Sequence, residues 1–422
     1  MFKNKKIKDA DRKKIFKLEQ KIQEIEKLKL PSPPEHFEWH INFVEVFDEK
    51  DGFDVVIANP PYINTKRGIE TSLKNSYRKN YKSAQGQFDL FTIFIEKGIE
   101  LTKNGITYIV PKPFINNENY KIVRELILNS GLYEIVIGSG VFEEANVESC
   151  LFFASKKFYS KNVLIMDFDK GEFKKHNLID KDIYTKLPFK VINTEINSKD
   201  IKIFKKMNKK IVKLGEITNI TRGVECGKND KIITRQKTSF KLLRGEDVKK
   251  YFINYKNIFI KFSEKDPKKF KFSSLYCSNK ILIRRVSKDL ICTMDDNKFV
   301  VLNTLYCCIP KSNHTLSYIA AILNSKLISY WFKKMFVLTD KLFPYIRKSQ
   351  LNFIPIKDIV KNEQKQFSNL VNSILIITKD EDYLFNSGKK SKVHEYELQI
   401  DQMVYKLYEL TEEEIKIVEK NK

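Results

Sequence analysis

The sequence has 422 residues, and 77 Lys and Arg against 53 Asp and Glu leave a formal net charge of +24 and a pI near 9.4. That length fits two domains, and the charge points to a polyanionic partner, though a Lys-, Asn- and Ile-rich bias accounts for part of the Lys excess. No run approaches the ~18 apolar residues of a membrane span, and Met1-Phe2-Lys3-Asn4-Lys5-Lys6 opens no apolar signal core, so a cytoplasmic chain with no membrane partner is expected.

In chain order, residues 7–30 carry helical spacing (Ile15, Leu18, Ile22, Ile25, Leu28) until Pro31, Pro33 and Pro34 stop it. This N-terminal helical unit, 1–35, fits either a docking helix or a solvated helix with one apolar stripe. Glu38–Phe43 reads as a strand, residues 48–52 as a turn, and Phe53–Ala58 as a buried strand. A helix over 88–103, a strand over 106–110, a helix over 117–129 ending at Gly131, and strands over 133–137 and 147–154 follow. Helix and strand in alternation with all-apolar strands predict an α/β sheet covered on both faces. The last two strands abut without a helix, so an antiparallel edge hairpin fits there.

Beyond residue 157 the alternation dissolves. A basic helix over 201–210 joins the halves, and strands fall near 257–262, 280–286 and 299–309. A long helix over 316–336 precedes helices near 362–378, 393–409 and 412–420, the last opening on the capping box Thr411-Glu412-Glu413-Glu414. Cys150, Cys226, Cys277, Cys292, Cys307 and Cys308 form no C-x-x-C pair and have no His at zinc spacing. Reduced, buried thiols and no metal site are expected. Asp167, Asp169, Glu172 and Lys174 are spaced too closely to surround one nuclease metal.

The informative segment is Asn59-Pro60-Pro61-Tyr62, directly after the Phe53–Ala58 strand. Asn and Pro also end strands in ordinary turns. The same residues suit alkylation of an exocyclic amine on a nucleic-acid base. An adenine N6 lone pair is conjugated into its ring, so a catalyst needs acceptors for both N6 hydrogens and an aromatic face for the extruded base. Asn59 offers a side-chain carbonyl, Pro60 a backbone carbonyl stiffened by the X-Pro-Pro run, and Tyr62 a stacking face.

With this strand and Tyr62, the tetrapeptide resembles that of N6-adenine DNA methyltransferases of the type IIG restriction–modification group, in the TaqI-like branch. The resemblance implies a partial Rossmann-like methyltransferase sheet over 36–157, with Asn59, Pro60, Pro61 and Tyr62 catalytic. A mixed α+β target-recognition domain with C-terminal helices would follow over 158–422. It also implies S-adenosylmethionine as methyl donor and double-stranded DNA as partner. In that family a Val-Phe pair after a late strand packs on the flipped adenine; Val141-Phe142 falls at the matching place, which pairs Tyr62 with Phe142 around the base. The family's donor-binding Gly-rich turn lies upstream of the tetrapeptide strand, and residues 1–58 hold only Gly52. Gly138-Ser139-Gly140 runs into a strand rather than a helix, which argues against a relocated donor loop. Asn42 matches the family's third-strand polar residue.

The order of several segments, from Gly223–Asp230 through Leu242–Val248 and Lys280–Arg285 to Met403–Tyr408, resembles the TaqI-like specificity domain. A domain that clamps duplex DNA needs Lys for phosphate and Arg for phosphate or guanine edges. Arg222, Lys228, Arg244, Arg284, Arg285 and Arg347 are the candidates; for each, a salt bridge within the protein is the alternative. Two readings follow. The chain is part of a base-flipping adenine-N6 methyltransferase that needs an upstream methyltransferase or nuclease fragment, or it is a DNA-binding specificity module without catalysis.

Overall fold

The computed structural model describes residues 17–21, 37–66, 68–138, 148–169, 171–227, 229–263, 265, 270, 273–311, 313–336 and 345–420. Of the expected N-terminal helix only residues 17–21 fall within this set, and they are helical.

The front half is built on a six-stranded sheet in the order β1-β2-β4-β3-β5-β6: β1 Phe53–Ala58, β2 Thr102–Pro111, β3 Leu132–Gly138, β4 Ser149–Ser155, β5 Asn162–Asp169 and β6 Glu172–Asp180. β1 is parallel to β2 and β3 to β5, while the other neighbours are antiparallel. A parallel pair needs a crossover, and between β1 and β2 the helices Thr71–Asn80 and Leu90–Leu101 supply it. Phe91, Ile95 and Leu101 of the second helix are buried on its sheet-facing side.

Four expectations are corrected here. The sheet runs past residue 157 to Asp180, because β5 and β6 extend it beyond β3. The β3–β4 hairpin is internal, since β2 pairs with the outer side of β4. β1, expected to be buried, is an edge strand: Val56 and Ala58 pack on the core, whereas Val55 and Ile57 are 56% and 76% exposed. The expected strand Glu38–Phe43 is helical, with Trp39–Asn42 and Val44–Lys50 forming consecutive short helices. There the aromatic spacing decides: Trp39, Phe43 and Phe47 fall on one helical face and gather against the Phe53 ring at 5.3–5.9 Å.

The back half holds a four-stranded antiparallel sheet of Cys292–Asp295, Lys280–Arg284, Leu305–Pro310 and Thr218–Arg222, in that order. Lys280 and Asp295, both fully buried, pair across its first two strands at 2.6 Å. The expected strand 299–309 divides into Val300–Val301 and Leu305–Pro310, and 257–262 shortens to Phe259–Ile260. The expected helix 316–336 breaks at Ser325, whose backbone is extended (ψ 150°), giving Leu316–Asn324 and Lys326–Phe336. The Asp401 carboxylate accepts from the Lys326 N–H at 2.8 Å and so caps the second piece. Helices Lys361–Thr378, Ser387–Leu407 and Glu412–Lys420 complete the C-terminal end, with the capping box present as Thr411 N–H donating to the Glu414 carboxylate at 2.8 Å.

The joining helix is Ser198–Met207, started by an Asn197/Asp200 capping box. Its Ile203, Phe204 and Met207 belong to one apolar core that runs from the first sheet to the C-terminal helices. Among the described residues no cysteine forms a disulfide; four are buried, Cys226 is half-buried and Cys277 exposed. Among the described residues no helix is long and apolar enough to cross a membrane.

Candidate functional site

β1 ends at Ala58 and the chain turns out over the carboxyl end of the sheet, where Asn59 and Pro61 are exposed and Pro60 is buried. Tyr62, 36% exposed, donates its hydroxyl hydrogen to the Ile109 carbonyl of β2 at 3.1 Å. Its ring meets Phe91 edge-on at 6.5 Å between centroids. Burial pushes the Tyr62 hydroxyl pKa up, the Ser149 hydroxyl beside it opposes this, and Cys150 adds to it, so the phenol is neutral at physiological pH. The following residues are laced to the start of the next helix. Leu90 N–H donates to the Ile63 carbonyl at 3.0 Å, and Thr65 gives both its N–H (3.2 Å) and its hydroxyl (2.7 Å) to the Phe88 carbonyl.

The ends of β1, β2 and β3 and the start of β4 lie together, as the register Ala58↔Tyr108, Pro111↔Ser149 and Gly138↔Ser149 requires. β3 therefore ends, at Gly138, on the end of the sheet that carries the tetrapeptide. Phe142 and Gly140 lie outside the described residues, as does Lys228. Asn42 is on a short helix rather than a strand end, and its side-chain oxygen accepts from the Glu38 N–H at 3.2 Å.

Of the remaining cationic candidates, Arg222 and Arg284 close two strands at the same end of the second sheet, but side-chain alternation puts them on opposite faces, Arg222 in line with Tyr306 and Arg284 in line with Leu305. Arg222 pairs with Glu225 at 3.0 Å, and Arg285 donates to the Asn303 carbonyl at 3.2 Å while lying over the Tyr345 ring at 5.3 Å. Arg244 approaches Glu246 at 4.0 Å. The Arg284 Nε is buried with no hydrogen-bond partner among the described residues. Arg347 reaches the front half instead: it pairs with Glu118 at 3.1 Å and donates to the Asn117 side chain at 3.3 Å.

Residues 1–142 match the family model described as Eco57I restriction-modification methylase, and residues 240–356 match the TaqI-like C-terminal specificity domain. The chain combines an Eco57I-type methylase region with a TaqI-like specificity domain. It is 28% identical over 423 residues to the putative type II restriction enzyme and methyltransferase RM.MjaORFECS2P of Methanocaldococcus jannaschii, covering 94% of this chain and 34% of that one. It is 28% identical over 200 residues to the type II restriction enzyme and methyltransferase RM.Eco57I of Escherichia coli, covering 44% of this chain and 20% of that one. The chain thus spans about a third or less of these curated relatives. A solved structure of the type IIL restriction-modification enzyme MmeI in complex with DNA superposes with a TM-score of 0.55 at 13% identity, over 89% of this chain and 56% of that one, which shows a shared fold.

Asn42 and Gly52 do not fit a methyl-donor cradle as they stand. The Asn42 amide oxygen is engaged within its own helix. Gly52 (φ +120°) serves packing, since a Cβ there would lie 2.7 Å from the Leu101 carbonyl oxygen. Among the described residues no group of three or more His, Cys, Asp or Glu could hold a metal ion.

Sequence reasoning missed Asn64, Asp89, Tyr120 and Arg124. Arg124, fully buried, donates to the carbonyls of Phe114, Asn117, Phe189 and Lys190 at 2.6–3.0 Å and ties the turn before its own helix to the linker between the halves. Asp89, directly before the apolar run Leu90–Ile95, had a legible signal as a helix N-terminal residue.

Proposed function

We infer that this chain supplies the base-binding corner and the target-recognition half of a site-specific DNA adenine-N6 methyltransferase of a restriction–modification system. The observation that carries this is the corner itself. Asn59 is exposed at the carboxyl end of β1, Pro60 is packed, and Tyr62 is held by its hydroxyl at Ile109 with part of its ring open. An exposed amide carbonyl, the carbonyl of a packed proline and a part-open ring suit an extruded adenine, whose N6–H groups would donate to the two carbonyls. Phe142 is the candidate for the opposite face. S-adenosylmethionine supplies the methyl group when bound; the residues here orient the acceptor amine and exclude water from one side.

Duplex DNA is the partner in this reading, with Arg222, Lys228, Arg244, Arg284, Arg285 and Arg347 as its candidate contacts. The methyl donor is held by an upstream methyltransferase segment, in the same polypeptide or a separate one, and the open edge of β1 is its seat. Parallel strands are normally buried on both faces, whereas among the described residues Val55 and Ile57 of this one are apolar and exposed. The poor fit of Asn42 and Gly52 to the donor favours a second reading, a DNA-binding specificity module without chemistry.

Duplex-binding titrations and calorimetry on this chain separate the readings. Binding that weakens steeply with salt, with no tight uptake of S-adenosylmethionine by the chain alone, is the expected result. Methylation on adding the upstream segment selects the first reading. Salt-insensitive or absent duplex binding contradicts both.

A further inference from the structure

We propose that Asp89 is a positioning residue for the Asn59–Tyr62 corner, acting through Asn64 on one side and Tyr120 on the other; the role rests on the base-binding reading above. The Asp89 carboxylate lies between two segments that are more than 50 residues apart in sequence. Its Oδ1 accepts from the side-chain amide of Asn64, two residues past Tyr62, and its Oδ2 accepts from the Tyr120 hydroxyl, at the entry to helix Lys121–Asn129.

Asp89 is the residue that precedes helix Leu90–Leu101, where a carboxylate ordinarily accepts from the first free backbone N–H groups. Here it makes no such bond. The helix start is satisfied by the Asp89 backbone carbonyl, which accepts the Thr92 N–H at 3.0 Å and the Thr92 hydroxyl at 2.8 Å. Both carboxylate oxygens are thereby left for Asn64 and Tyr120. Only an ionised carboxylate offers two acceptors and no donor, and bonds to it are the stronger kind.

The orientation of Asn64 is fixed from its other side. Its Oδ1 accepts the Lys66 N–H at 2.9 Å, which aims the amide nitrogen at Asp89. Tyr120 is 7% exposed, and its ring meets Phe91 edge-on at 5.0 Å, the same Phe91 that backs Tyr62 at 6.5 Å. One carboxylate therefore holds both the chain leaving Tyr62 and the ring pair behind it. The turn leading to Tyr120 is in turn gripped from the recognition half, where Arg347 and Ser349 both bond to Glu118. Burial and Asp89 together raise the Tyr120 hydroxyl pKa, so it remains a donor throughout the working range.

The test uses the full chain with Asp89→Asn and with the exchanged pair Asn64→Asp/Asp89→Asn. In the single variant one acceptor becomes a donor, so either the Asn64 amide or the Tyr120 hydroxyl loses its acceptor. In the exchanged pair, donor and acceptor simply trade places, and Tyr120 keeps an acceptor. Base extrusion is read with a duplex selected from a randomised pool and carrying 2-aminopurine at the target adenine. Amide hydrogen exchange over residues 62–66 and the melting temperature are read beside it. Asp89→Asn should lower the extrusion signal at saturating DNA by about tenfold with duplex affinity unchanged, and should quicken exchange over 62–66. The exchanged pair should restore both. Extrusion and exchange unchanged in Asp89→Asn overturn the proposal, as does an exchanged pair that melts like the wild type yet stays defective. If the wild-type chain extrudes no base, the base-binding reading fails by itself, and unchanged amide exchange in Asp89→Asn then overturns the positioning role separately.

Discussion

The Tyr62 hydroxyl donates to the carbonyl of Ile109 at 3.1 Å, so the tyrosine is fastened by its tip to the neighbouring parallel strand. Its ring can then be judged apart from its hydroxyl. Tyr62→Phe should cost roughly 1 kcal/mol of stability for one hydrogen bond, visible in urea unfolding, and should keep most of the stacking. Tyr62→Ala should weaken capture of the extruded base by about 1–3 kcal/mol, read with a fluorescent adenine analogue. Equal extrusion defects in the two variants would assign the role to the hydroxyl instead.

Asn59 is exposed, so its replacement is expected to be structurally quiet. In an assembly made active by the upstream segment, Asn59→Ala should abolish methyl transfer while duplex binding persists. Transfer of labelled methyl groups and fluorescence anisotropy measure the two separately, and a parallel loss of both contradicts the assigned role.

His176 lies between two carboxylates, with Asp167 at 2.8 Å from Nδ1 and Glu195 at 3.0 Å from Nε2. Burial lowers its pKa, but the hydrogen bond and charge of Asp167 and the charge of Glu195 outweigh it, and the net shift is upward. The folded protein thus holds the proton more tightly than the unfolded chain. This stabilisation is full below the unfolded value of 6.5 and is lost as pH rises through the higher folded value. Melting temperatures followed across that window should fall with rising pH, and His176→Gln should flatten the trend; an unchanged slope rejects it.

Arg124 is protonated at neutral pH even though burial pulls its pKa down to about 9. Arg124→Met removes donors from four carbonyls, two of them on Phe189 and Lys190, which sit at φ near +55°. A loss of about 3 kcal/mol or more is expected, measured by denaturant unfolding. A loss below about 1 kcal/mol would mean that water replaces the guanidinium without penalty.

The tetrapeptide and the strand before it were legible because sequence-local chemistry decides them: an apolar run, then two prolines that forbid its continuation. The helices Lys361–Thr378 and Glu412–Lys420 were legible for the same reason, through apolar period and capping residues. Pairing order was not. Nothing local tells Phe53–Ala58 that it has one neighbour, or Ser149–Ser155 that it lies between two strands. The segment Glu38–Phe43 misled because aromatic residues favour strands in isolation, while here the rings pack on one another at helical spacing. On charge alone Arg347 fits either a DNA contact or a salt bridge within the protein; only the tertiary fold brings Glu118 and Asn117 to it.

The open rim at Val55 and Ile57 bears on how the protein must be handled. A strand with one free row of N–H and C=O groups and aliphatic side chains beside it invites intermolecular pairing. On the strand itself the charge there is Asp54, paired with Lys103 at 3.3 Å. Produced at high concentration without a companion polypeptide, the chain should precipitate through this rim, and Ile57→Lys should raise its solubility.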